Sequence, residues 1–531
     1  MTSRFSNRQQ IRKPAVTAKG GIVAAQSRRA AEIGAAVLAA GGDCVDAVIA
    51  TGFALGVLEP WMSGIGGGGV MVLYRAKDKS VEVIDYGMRA PDSLRLHDYP
   101  LSADGTVAAD IFPWARVKDD RNIHGPGAIA VPGVVAGMEE AYRRHARLPW
   151  KDLVAPSVAL ASEGLLVDWW SSAMIASGAA DLRRYPASAA TYLKDGLPPN
   201  PQWGIKSVVR LPQDQLKAAL SHLASAGARD FYQGDLARSI ARDIQAAGGA
   251  LSVEDLTAYT AQLREPLKIP YRGGTVYATP ELTAGPTLAH TLRLLQETLQ
   301  PLGGTPDSAA YVAYAEALQA AYRERLKGMG DADGRRSLGA EYLAPGCTTH
   351  YSVVDRDGNM AAVTQTLLST FGSKFQAPES GIMMNNGIMW FDPTPGTTNS
   401  LAPGKRCLTN YTPVVAEASD GRRIALGASG GRRILPAVTQ MLSFVMDYGM
   451  DLDTAIHRPR IDASEGDIVA ADTRLSAETQ GVLKAKFDVV EAPVQSLPLK
   501  FACPSLVLRE GTTNSGATEI FHAWSEAVAE S

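Results

Sequence analysis

Cys347-Thr348-Thr349-His350-Tyr351-Ser352-Val353-Val354-Asp355 is the stretch whose reading decides the fold. Tyr351 and Val353 favour a strand, and Asp355-Arg356-Asp357-Gly358-Asn359 supplies turn residues after it. A second apolar run, Met360-Ala361-Ala362-Val363-Thr364-Gln365-Thr366, follows the turn. The pattern predicts a hairpin with hydroxyl residues, Thr348 and Thr366, at its two outer ends. Antiparallel pairing sets those ends side by side. Taken alone, a threonine at a strand start is ordinarily a β-former and nothing more.

The longer pattern carries more. Thr-Thr-His-Tyr-Ser-Val-Val-Asp-x-Asp-Gly-Asn from Thr348, then a Val-Thr-x-Thr run and Phe371-Gly372, resembles the γ-glutamyltranspeptidase (glutathione hydrolase) family. That wider family includes oxamate amidohydrolases and acylase-like members. The segment from Gly21 to Tyr74 is also similar, including Glu59-Pro60 and Ser63-Gly64-Ile65-Gly66-Gly67-Gly68-Gly69. The resemblance runs from about Gly21 to the end and is strongest at 21–74, 348–372 and 404–434. It implies an α/β fold, the four-layer αββα sandwich of N-terminal-nucleophile hydrolases. It also implies self-cleavage before Thr348, giving a large subunit 1–347 and a small subunit 348–531. Both subunits come from one precursor, and a dimer of such heterodimers is left open.

Chemistry supports a threonine at a new chain end. Its hydroxyl is a poor nucleophile unless a base sits beside it, and an N-terminal residue carries its own base in the α-amine. That amine has an ordinary pKa of about 7.7–8.0, close to working pH. It exists only once the Cys347–Thr348 bond is broken.

Composition excludes several classes. The chain has 531 residues, 46% hydrophobic and 20% charged, with a formal charge of -3. That is a globular composition without the basic surface that nucleic acid asks for. No run of 18 uncharged apolar residues predicts a membrane span. The first ten residues are polar and basic with no apolar core, which reads as no secretory signal and a cytoplasmic protein. Four dispersed cysteines and eight histidines form no disulfide framework or metal motif. The expectation is no metal, no cofactor and a small-molecule amide substrate.

In chain order, a strand is expected at 21–25, helices at 29–40 and after Asp43 to Leu58, and strands at 70–74 and 81–86. Asp43 suits an N-cap, with Asp46 in the first turn. Ser63 to Gly69 contains Gly-x-Gly-x-x-Gly, the dinucleotide pattern. It follows a helix and opens a strand, the reverse of what that pattern needs. Close backbone packing is the better reading. Residues 92–127 read as irregular, helices are expected near 134–145 and 150–162, and 164–215 resists division. Helices follow near 214–224, 234–247 and 308–327, then a glycine-rich, charged segment at 327–347 that suits a processing linker. Strands are expected at 411–416 and 423–428, and a helix from Ser429-Gly430-Gly431-Arg432-Arg433 to about Tyr448.

The resemblance assigns Thr348 and Thr366 to the catalytic centre and Gly430 and Gly431 to the oxyanion hole, with Ser429 where the family has proline. Two glycines ahead of a helix can turn N–H groups into a concave pair, or simply turn the chain. The substrate pocket departs from the family. Its carboxylate-binding arginine position is Gly87, with Arg89 two residues on. Its asparagine after the second threonine is Leu368, and its ammonium-binding carboxylate is Trp390. Its serine pair is Thr409-Asn410. Arg89, Arg406 and Arg432 are candidate anion holders, each equally readable as structural. A site missing its ammonium partner discriminates strongly against a charged amino acid. The expected substrate is therefore an amide whose acyl part bears a carboxylate but no α-amine, such as oxamate or a dicarboxylic acyl amide. Two other readings stay open: a genuine γ-glutamyl hydrolase/transpeptidase, and an uncut, non-catalytic small-acid binder.

Overall fold

The hairpin forms as Gly346–Val354 paired antiparallel with Met360–Ser369. Its turn closes through Asp355, whose carboxylate accepts the Asn359 N–H at 2.9 Å. The structure is a computed structural model that describes residues 11–108, 114–328 and 346–531. The segment expected at 327–347 falls mostly outside these residues. Its ends are the last turn of the helix Ser308–Gly328 and the first residues of the Thr348 strand.

Among the described residues the hairpin is the centre of a seven-stranded sheet. Ile22–Ala25 flanks the Thr348 strand and Gly68–Arg75 flanks the Thr366 strand, both antiparallel. A second seven-stranded sheet carries Arg423–Ser429 between Val414–Glu417 and Cys503–Glu510. Strand alternation divides the core. Tyr351, Val353, Ala361 and Val363 pack with the helices Arg28–Ala39, Cys44–Leu58, Val134–His145 and Trp150–Glu163. On the opposite face, Met360, Ala362, Val70 and Val72 meet Val415, Ala425 and Val507 of the second sheet. The outer face of the second sheet, with Val414, Ile424 and Leu426, is covered by Gly285–Thr298, Ser308–Gly328 and Ile434–Met446. Three cores between successive layers make a helix–sheet–sheet–helix sandwich. No helix among the described residues is long and apolar enough to cross a membrane.

Local rules hold where they were strongest. Asp43 caps Cys44–Leu58 in a full capping box with Asp46. The region 164–215 resolves into the helices Trp169–Leu182 and Pro186–Tyr192 and a small ladder, Leu165–Val167 with Val209–Leu211.

The glycine run serves backbone packing. The Gly67 carbonyl accepts the Gly133 N–H at 2.7 Å and the Val134 N–H at 3.1 Å. A Cβ on Gly67 would stand on the Thr366 carbonyl oxygen. Backbone on both sides leaves nothing flexible to give way. Gly67→Ala is expected to cost about 3 kcal/mol, read as a lower denaturant midpoint at unchanged slope. A midpoint equal to wild type would remove this account of the glycines.

Candidate functional site

The two hairpin strands do not pair evenly to their ends. The ladder runs from Val354 opposite Met360 back to Thr349 opposite Gln365, then slips, so that Cys347 faces Leu368. Thr366 and Leu367 therefore share the single partner Thr348. A bulge of this kind re-aims side chains. The displaced Leu367 N–H is not lost, since it donates to the Met62 carbonyl at 3.0 Å.

Leu368 next to the bulge has φ +92°, uncommon for a residue with a side chain. That conformation delivers its N–H to Thr366 Oγ1 at 2.8 Å. The Thr348 hydroxyl donates to the same oxygen at 3.4 Å. Thr366 in turn donates its proton to the Cys347 carbonyl oxygen. One hydroxyl thus touches both the Thr348 side chain and the carbonyl of the peptide bond preceding it. Thr348 itself is buried, 5% exposed.

Thr348 borders a small cavity of about 10 Å³ lined by Leu368, Trp390, Asn410, Tyr411, Gly431 and Ile434. That is about the room one water needs. Gly430 has φ +137° and Gly431 φ +63°, values that favour glycine. They turn the chain from Arg423–Ser429 into Ile434–Met446. The first N–H groups of a helix lack intrahelical partners and carry its positive end, so this corner suits negative charge.

The rest of the wall is aromatic with a few hydrogen-bonding atoms. The Trp390 and Tyr411 rings meet at 5.4 Å. Trp390 Nε1, Tyr411 Oη and Asn410 Nδ2 are buried without a partner among the described residues. Asn410 Oδ1 accepts from Arg325 Nη2 at 3.3 Å, which leaves its NH₂ group as the uncommitted end. Arg325 also donates to the Thr409 carbonyl at 2.7 Å, the Thr283 carbonyl at 2.9 Å and Thr287 Oγ1 at 3.1 Å. Burial lowers its pKa to about 10, so it remains a cation at neutral pH.

The three arginines singled out in the sequence are not among the described residues lining this cavity, although Arg432 follows the lining Gly431. Arg89 pairs with Asp92 and donates to the Gly404 carbonyl. Arg406 reaches Asp85 at 3.5 Å and lies over the Tyr259 ring. Arg432 is buried over the Tyr322 ring, 5.4 Å from its centre. Thr409 gives its hydroxyl to the Leu282 carbonyl at 3.1 Å. Trp390, Asn410 and Gly431 do meet Thr348. Arg325 was missed because its only trace is a cation near a helix C-terminus, which is where helices ordinarily carry cations.

Two nearby groups are structural. His350 is bonded through Nδ1 to Thr364 at 2.9 Å and through Nε2 to Ser352 at 3.0 Å. Burial pushes its pKa down to about 3, so it is neutral with both nitrogens occupied and is no base for Thr348. Asn385 ties Gly66 to Ala130, donating to their carbonyls at 2.7 and 2.9 Å.

Comparison with known proteins identifies the family and the fold. The family profile described as Gamma-glutamyltranspeptidase matches residues 30–344 and 335–520. Acylase ACY 1 proenzyme of Pseudomonas sp. (strain V22) is 33% identical over 511 residues, spanning 91% of this chain and 89% of its own. Glutathione hydrolase proenzyme of Escherichia coli (strain K12) is 30% identical over 515 residues, spanning 89% of this chain and 86% of its own. Among solved structures, cephalosporin acylase from Bacillus halodurans superposes with TM-score 0.84 at 24% identity, covering 100% of this chain and 99% of its own. The γ-glutamyltranspeptidase of Helicobacter pylori gives TM-score 0.51 at 29% identity, over 60% of this chain and 86% of its own. The sandwich is thus the fold of these enzymes, and the chain belongs to the γ-glutamyltranspeptidase family of amide hydrolases and acyltransferases.

Proposed function

We propose that the protein cuts its own chain between Cys347 and Thr348 and then hydrolyses an amide through an acyl-enzyme on Thr348. The observation that carries this is the double role of Thr366, bonded to both the Thr348 hydroxyl and the Cys347 carbonyl. In the first step Thr348 Oγ1 adds to that carbonyl, whose developing charge the Thr366 proton stabilises. The C–N bond breaks, the acyl group passes to oxygen, and the released amine takes a proton. Water then hydrolyses the ester, leaving Cys347 with a carboxylate and Thr348 as a chain end. In the second reaction the Thr348 α-amine is the base and its hydroxyl the nucleophile. We assign the backbone N–H groups of Gly430 and Gly431 to the oxyanion, and residues 1–347 and 348–531 to the large and small subunits.

The substrate reading follows from the cavity wall. Among the described residues no carboxylate lines it, so an α-ammonium group meets no counter-charge from them. Its uncommitted atoms are mainly donors, with the Arg325 cation behind Asn410. Donors and a cation suit an acyl group that ends in a carboxylate. We favour an oxamate-like or dicarboxylic acyl amide on these grounds, and the acylase names among the relatives support amide hydrolysis. The second reading is a γ-glutamyl hydrolase or transpeptidase, favoured by the glutathione hydrolase relatives.

Intact mass under denaturing conditions tests the first step. Two pieces, one ending at Cys347 and one beginning at Thr348, are expected; a single uncut chain would favour a non-catalytic binder. Turnover of oxamate, glutaryl-p-nitroanilide and γ-glutamyl-p-nitroanilide tests the second. The γ-glutamyl amide is expected to be the poorest by about 100-fold or more. Good turnover of that amide alone would overturn the substrate reading.

A further inference from the structure

On the other face of the Thr348 strand lies a buried acid that the reaction above does not use. Glu59 is the residue at the end of Cys44–Leu58 and is fully buried. Its Oε2 accepts the Thr349 hydroxyl at 3.4 Å. Its Oε1 lies 3.9 Å from His522 Nε2, and the His522 ring is also fully buried, edge-on to Trp170 at 4.9 Å. Glu59 Oε1 and both His522 nitrogens have no hydrogen-bond partner among the described residues.

A buried acid with no cation on it is expensive unless it is neutral. Burial pushes Glu59 up to about 8 and His522 down to about 3, the latter helped by the nearby Lys13 ammonium. At neutral pH this is a carboxylic acid facing a neutral imidazole. One carboxyl oxygen accepts from Thr349, and the acid proton has His522 Nε2 in front of it.

The location gives the pair a task. The bulge leaves Thr349 opposite Gln365 as the first regular pair after Thr348. Cutting before Thr348 removes the covalent hold on its N-terminal side, and a chain end frays unless it is tied down. The segment after Glu59 already grips the partner strand: Met62 and Trp61 carbonyls accept from Leu367 at 3.0 Å and Phe371 at 3.1 Å. Ser63 Oγ accepts from Gln365 at 3.4 Å. Glu59 supplies the matching hold on the strand that carries Thr348.

Resting on the reading of Thr348 as a nucleophilic chain end, we infer that Glu59, backed by His522, is a positioning residue that anchors Thr349 and thereby fixes the Thr348 terminus for attack. Glu59 touches no reacting atom. It acts through the side chain next to the nucleophile, where a displacement of about 1 Å is worth about 100-fold in rate.

Three variants test this on whichever of the three amides the wild type hydrolyses. Glu59→Ala is expected to lower kcat about 100-fold with KM within about threefold. Glu59→Gln keeps an acceptor for Thr349 and a donor for His522, so it should stay within about threefold of wild type. Thr349→Val removes only the hydroxyl and should reproduce the loss of kcat, which keeps the test valid if Glu59→Ala does not fold. A merely structural role predicts a lower melting temperature with kcat per cut chain unchanged. That result in Glu59→Ala or Thr349→Val overturns the inference, as does a Glu59→Gln enzyme as slow as Glu59→Ala. A wild type that remains one chain overturns the reading of Thr348 and this inference together, whereas a cut, active wild type beside fully active variants overturns this inference alone.

Discussion

Thr348→Ala is expected to stay a single 531-residue chain and to lose amide hydrolysis by about 10⁵-fold. The loss has two independent sources. Without Oγ1 nothing adds to the Cys347 carbonyl, so the bond is not cut and the α-amine never forms. Without Oγ1 there is also no atom to carry the acyl group. The variant should fold normally. It gives up one long hydrogen bond, at 3.4 Å, in a residue whose neighbours on the ladder are unchanged, a cost of about 1 kcal/mol. Intact mass and turnover, measured on the same preparation, check both losses. A Thr348→Ala chain that still splits before residue 348 would show that another group performs the cut. Thr348→Ser keeps the oxygen and should still divide.

Thr366→Val is the second large effect. Valine has nearly the same shape as threonine, so the change removes one hydroxyl and little else. Three contacts go with it: the donation to the Cys347 carbonyl, the acceptor for Thr348, and the acceptor for the Leu368 N–H at 2.8 Å. The first is the one that grows stronger as the carbonyl becomes an oxyanion. Its loss should slow cutting by about 10²–10³-fold. The stranded Leu368 N–H, buried beside a residue already held at φ +92°, should lower stability by about 1–3 kcal/mol. A time course of intact mass after synthesis reads the first effect and a denaturant midpoint the second. Cutting at the wild-type rate would leave Thr366 as a strand residue and nothing more.

The relation between these two threonines was legible because it is local. Their separation is set by a short turn and by the two-residue period of strands. The capped helix Cys44–Leu58 and the tightly packed glycine run were legible for the same reason, since caps and glycines act on immediate neighbours. The bulge was not legible. Nothing in Thr366-Leu367-Leu368 says that two residues face one, because the displaced N–H of Leu367 finds its acceptor at Met62, far away in the chain. The helix Trp169–Leu182 was not delimited because its exposed side carries Ala176, Ser177 and Ala180 rather than charged residues, so hydropathy does not set its buried face apart.

The pocket shows the same division more sharply. Arg89 and Arg406 were reasonable anion holders by residue type, yet Asp92 and Asp85 occupy them. Arg325, which no motif marked, reaches Asn410 across the gap between a helix end and a loop. Glu59 was visible as a charge in an apolar stretch, but its contact with Thr349 spans 290 residues of chain. By itself the sequence determined the hairpin, the outer helices, the layered α/β class and the threonine pair, because periodicity, turn chemistry and capping are short-range. Only the tertiary structure decided the bulge that aims Thr348, which cation stands near the cavity and which acid lies behind the strand. Those depend on long-range backbone pairing and on which partner each buried charge finds first, and neither is written within any single stretch of chain.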